Sequence, residues 1–72
     1  MKQRQLEQQI QRLAKRHGVT ARLVRQGKHE IWECAGLTFS IPRHREIAEG
    51  TARTILRRLE AHLQELGQEE RE

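Results

Sequence analysis

Leu37-Thr38-Phe39-Ser40-Ile41-Pro42 alternates apolar and polar side chains without a break until the proline. That period of two is the mark of a strand with one buried face, here the face of Leu37, Phe39 and Ile41. Pro42 closes it, because proline brings no N–H to continue a ladder. Upstream, His29-Glu30-Ile31-Trp32-Glu33-Cys34 reads as a second strand, joined to the first by a turn at Gly36. Further upstream Val19 to Arg25 alternates loosely, with Ala21 and Leu23 on one face, and Gln26-Gly27-Lys28 reads as a turn. Trp32 is the single Trp of a chain with one Phe and no Tyr. It is expected to fill the core rather than to stack on a base, and Cys34, on the same strand face, to be a buried thiol.

Helical spacing flanks these strands. Leu6, Ile10, Leu13 and Ala14 fall at i, i+4, i+7 and i+8, which predicts a helix over about 3–17 ended by His17-Gly18. Arg12, Lys15 and Arg16 lie on its solvated side. Downstream, Arg43 to Gly50 reads as a polar loop and Thr51 as the N-cap of a second helix over about 52–66, with Gly67 as its stop. Ala52, Ile55, Leu56, Leu59, Leu63 and Leu66 make its apolar stripe. The expectation is one domain over 1–67 and a frayed acidic tail over 68–72. The fold class is α+β in the order α-β-β-β-α: a three-stranded antiparallel sheet with two helices on one face and the other face open.

Composition limits what such a chain does. Its 72 residues are 35% hydrophobic with a mean hydropathy of −0.91, so any core is thin. No apolar run exceeds the four residues Cys34 to Leu37, which excludes a membrane-spanning helix. The first residues carry no apolar signal-peptide segment, and the expected location is cytoplasmic. A lone cysteine gives neither an internal disulfide nor a CxxC site, and the four histidines lack close zinc-ligand spacing. The net charge is +4, and it is unevenly spread: +7 over Met1 to His62 and −3 over Leu63 to Glu72. A basic body attracts polyanions, with nucleic acid foremost.

Three further stretches carry a resemblance. Arg25-Gln26-Gly27-Lys28-His29-Glu30-Ile31-Trp32, Phe39-Ser40-Ile41-Pro42-Arg43-His44 and Gly50-Thr51-Ala52-Arg53-Thr54-Ile55-Leu56 follow one another in order. Together they resemble the HicA family, toxins of type II toxin–antitoxin systems. Its members have Gly-Ser-His before the second strand, a strand ending in Pro-x-His, and a helix opening Gly-Thr-x-Arg-x-Ile-Leu. The likeness covers about residues 6–60. Lys28 stands where the family most often has Ser, and the second helix runs longer than in the family.

The resemblance implies an mRNA interferase with a fold like that of double-stranded-RNA-binding domains, silenced by a HicB-type antitoxin. His29 carries over as the catalytic residue, and His44 as a secondary candidate for catalysis or RNA contact. No metal or other cofactor is implied. RNA supplies its own nucleophile, the ribose 2′-OH, and histidine, with an ordinary pKa of about 6.5, suits the task of removing that proton at neutral pH. Arg25, Lys28 and Arg43 are candidates to hold the phosphate, and Arg53 and Arg57, with Arg58 beside them, to form a basic ridge on the second helix. His17 and His62 read as bland. Two rivals stay open on sequence: a non-catalytic RNA-binding module of the same fold, and an interaction domain whose basic face meets an acidic protein.

Overall fold

The computed structural model describes residues 1–43 and 45–70, the backbone alone over 68–70. Helix α1 is Gln3–Arg16, strands β1, β2 and β3 are Ala21–Arg25, His29–Cys34 and Leu37–Pro42, and helix α2 is Glu49–Glu70. The expected order α-β-β-β-α is the observed one, with an antiparallel sheet in the order β1-β2-β3.

The ends of α1 have clear local causes. At its start, Gln5 Oε1 accepts the Lys2 backbone N–H at 3.1 Å and the Lys2 carbonyl accepts that of Leu6 at 3.1 Å. At its end Gly18 turns to a φ of +74°, and the N–H groups of Gly18 and Val19 return to the carbonyls of Lys15 and Ala14, both at 3.0 Å. That pair of bonds is a Schellman motif, which satisfies carbonyls the helix would otherwise leave open. Lys15 and Arg16 sit where the helix dipole favours cations.

Pairing fixes which strand positions face the helices. Trp32 lies opposite Phe39 and Cys34 opposite Leu37, while Ile31 lies opposite Ser40 and Glu33 opposite Thr38. Leu6, Ile10 and Ala14 of α1 and Ala52, Ile55, Leu59 and Leu63 of α2 are buried against the first set. Arg22, Glu33, Thr38 and Ser40 remain on the uncovered side, where Arg22 Nε stands 3.6 Å from Glu33 Oε1 across β1 and β2. Helix α1 packs beside β1, and α2 beside β3.

The two-residue turn between β2 and β3 has both residues at positive φ, Ala35 at 52° and Gly36 at 89°. This suits the twist of a tight hairpin. Glycine adopts it freely, whereas alanine does so at a cost of about 1–2 kcal/mol. His62 of α2 donates from Nε2 to the Ala35 carbonyl at 2.7 Å. His62, bland in sequence, therefore ties α2 to the hairpin.

Three expectations need correction. Helix α2 begins at Glu49, so Gly50 and Thr51 lie in its first turn and Thr51 is not the N-cap; the first helical bond runs from the Ala52 N–H to the Ala48 carbonyl at 3.0 Å. Glu49 in that first turn favours the earlier start. Gly67 does not stop the helix, since its φ is not positive and α2 continues to Glu70. Positions 68–70 are helical backbone, while 71 and 72 lie outside the described residues. The segment before α2 is not wholly polar: Ile47 is buried, and its N–H meets the Met1 carbonyl at 2.7 Å. Leu23 shares the helix-facing side with Ala21, as expected, opposite Trp32, and is 38% exposed on an edge strand whose register shifts between Leu23 and Arg25.

Glu30 completes the helix-facing side of β2. Its carboxylate Oε1 accepts Trp32 Nε1–H at 3.2 Å and Gln3 Nε2–H at 2.8 Å. Trp32 is buried, as expected of a core residue, and its indole N–H has a partner. Among the described residues no buried side-chain polar atom lacks a hydrogen bond.

Candidate nucleic-acid interface

His29 opens β2 directly after the Gly27-Lys28 bend and lies opposite Pro42, the last residue of β3. Strand alternation turns it away from Glu30, Trp32 and Cys34, and it is exposed. Among the described residues nothing hydrogen-bonds its ring. It lines a cleft of about 430 Å³ that passes over the edge of β3 to the first turns of α2. Phe39, Pro42 and Ile55 give that cleft apolar surface, and Ser40, Thr51, Thr54 and Arg58 give it hydroxyls and a cation.

The other expected site residues fall into two groups. Arg25 ends β1 and Lys28 sits in the bend, both exposed. Arg43 follows β3, and its Nη1–H donates to the Gly27 carbonyl at 3.2 Å. That bond ties the bend before His29 to the chain leaving β3, and holds a guanidinium at the same end of the sheet as the imidazole. Arg53 and Arg57 are exposed on α2, but neither lines the cleft; Arg58, one position further round the helix, does. His44 lies outside the described residues.

Sequence reasoning did not assign Ser40, Thr54 or Gly50 to a site. A signal for two of them was present, since Gly50, Thr54 and Arg58 stand four residues apart and share one helix face. Ser40 gives no such signal, because an outward polar residue on a strand looks like any solvated one.

Glu7 on α1 has its carboxyl pKa raised, first by burial and then by the charge and hydrogen bonding of Glu30, with Arg4 opposing. The Cys34 thiol is raised by burial and by Glu33, as befits an inert core cysteine. Both lie away from the His29 cleft. Among the described residues no group of His, Cys, Asp or Glu side chains is placed to hold a metal ion, and no helix is long and apolar enough to cross a membrane. No family model matches the chain, and neither does any curated protein or solved structure.

Proposed function

We propose that the chain is an endoribonuclease that cuts mRNA without a metal, the toxin of a type II toxin–antitoxin pair, with a fold of the double-stranded-RNA-binding kind. The observation that carries this reading is the position of His29, exposed at the start of β2 and lining an open cleft with three hydroxyls and the cation of Arg58. The motif likeness to HicA proteins set out above adds to it, as does the +7 charge over Met1 to His62.

The chemistry needs few parts. The neutral imidazole of His29 takes the proton of a ribose 2′-OH, and the 2′-oxygen attacks the adjacent phosphorus. The 5′-oxygen leaves and takes a proton from solvent, so the ends are a 2′,3′-cyclic phosphate and a 5′-hydroxyl. Lys28, Arg25 and Arg43 stand at the same end of the sheet to offset the charge that gathers on the phosphoryl oxygens. A positioned base of this kind contributes about 10²–10⁴-fold. An acidic HicB-type antitoxin covering this end would block the cleft, and would stabilise the thin core by binding only the folded chain.

A second reading, a non-catalytic RNA-binding module, is favoured by Lys28, an exposed cation where the resembled family most often has Ser. One experiment separates the two. Purified protein is incubated with RNA in the presence of a chelator, and the products are resolved on a gel. Wild type is expected to cut and His29→Ala to cut about 10²–10⁴-fold more slowly while still binding. Full-rate cutting by His29→Ala overturns the assignment of the base; binding without cutting by wild type leaves the module.

A further inference from the structure

The cleft beside His29 differs from the flat, charged surface that a duplex needs. Its apolar part is built from Phe39 and Ile55, which are 8% and 9% exposed, with the half-buried ring of Pro42 beside them. Around this apolar part stand the side chains of Ser40, Thr51, Thr54 and Arg58. The Thr54 hydroxyl donates to the Gly50 carbonyl at 2.9 Å, which leaves its oxygen as an acceptor. Arg58 has no acidic partner among the described residues. At Gly50 a Cβ would meet no atom within 4 Å, so the wall of the cleft stands open there.

An unpaired nucleotide matches this mixture. Its base offers a flat apolar face, a hydrogen-bonding edge and, one bond away, a phosphate. In a duplex the first two are occupied by stacking and pairing, and sequence-reading proteins accordingly take bases that are splayed out of the helix. We propose that the cleft between the β3 edge and the start of α2 is a subsite for one unstacked nucleotide of single-stranded RNA, next to the bond that His29 addresses. The base lies against Phe39 and Ile55, its edge meets the hydroxyls of Ser40, Thr51 and Thr54, and Arg58 holds the phosphate. This rests on the endoribonuclease reading for the role of His29, but the subsite itself does not need cutting to be detected.

The geometry supplies a specific way to fill the cleft. Gly50→Leu projects a side chain into the space that Gly50 leaves open, and it replaces a poor helix former with a good one. Gly50→Ala makes the same gain in helix propensity and fills little, so it serves as the control. Arg58→Gln removes the cation without adding bulk. Binding is read by fluorescence anisotropy of a labelled RNA oligonucleotide on the His29→Ala background, where the probe survives. The same oligonucleotide annealed to its complement is the duplex arm, and cutting is read with His29 intact.

Single strand is expected to bind about tenfold or more tightly than duplex, and Gly50→Leu and Arg58→Gln each to lose about tenfold, with a smaller loss in Gly50→Ala. Equal binding of duplex and single strand, or unaltered binding by Gly50→Leu and Arg58→Gln, overturns the subsite while cutting by wild type would still stand. Binding lost in Gly50→Leu alongside a wild type that never cuts supports the subsite and overturns the nuclease. Absence of any RNA binding by wild type, with capture of an acidic peptide in the cleft instead, overturns both. Should Gly50→Leu fail to fold, Arg58→Gln and the duplex arm decide.

Discussion

Glu30 and His29 are neighbours on β2, and the sheet sends them to opposite fates. Glu30 faces the helices, is buried, and has its carboxylate occupied by Trp32 and Gln3. His29 faces outward, is exposed, and has no bond to its ring among the described residues. A buried polar group left without a partner costs about 1–3 kcal/mol, so folding uses up the hydrogen-bonding capacity of the inner face. The outer end of the same strand bears no such constraint, and its capacity stays available to a ligand. Buried, paired groups and exposed, unpaired ones are thus divided between alternate residues of one strand.

That division is testable by substitution, and the core should respond most. Leu59 is fully buried between the sheet and α1. Leu59→Ala is expected to cost about 2–5 kcal/mol, comparable to the roughly 3–5 kcal/mol that a single core supplies at this size. Urea denaturation should therefore find the variant largely unfolded at the outset. A midpoint close to wild type would mean that α2 is not a true wall of the core.

Next in size is Glu30→Ala, which strands the Trp32 indole N–H in the interior and should cost about 1–3 kcal/mol. Glu30→Gln keeps an acceptor and should cost less; equal losses would show that charge, not hydrogen bonding, holds the indole.

The Glu7 carboxyl offers a smaller effect with a definite sign. Burial and Glu30 raise its pKa in the folded chain, so folding favours the protonated form. Stability from this group is fully present below the unfolded value and is lost as pH rises through the raised folded value. Glu7→Gln should therefore raise the melting temperature at neutral pH by less than about 4 °C, a gain of under 1 kcal/mol. The gain should vanish on acidification below the carboxylate range. A gain that persists there would mean that Glu7 acts through packing. Smallest of all should be the stability change in His29→Ala, within about 0.5 kcal/mol because the ring is exposed.

The order of elements was readable because each apolar pattern is local: Leu37, Phe39 and Ile41 state the strand, and Leu6, Ile10 and Ala14 the helix. The limits of α2 were not. Gly50 and Gly67 read as boundaries, yet both take ordinary helical backbone, and a glycine marks a stop only where the chain needs a positive φ. Ile47 escaped because one apolar residue in a polar stretch has no period. Glu30 looked like any strand carboxylate, since its partners include Gln3, 27 positions away. The site divides in the same manner. The place of His29 at the start of a strand after a bend was legible, whereas Arg58 lines the same cleft only because α2 packs beside β3, which no local pattern states.

The hairpin turn has a bearing on how the chain comes together. Ala35 is held left-handed, and the group that secures its carbonyl, His62, arrives on the last element. A two-stranded ribbon is marginal in water even with a bend that suits its twist, and here the left-handed Ala35 offsets about 1–2 kcal/mol of what that bend contributes. During synthesis, β2 and β3 would leave the ribosome with no lasting registry, and the sheet would set only once α2 had followed and clasped its far corner.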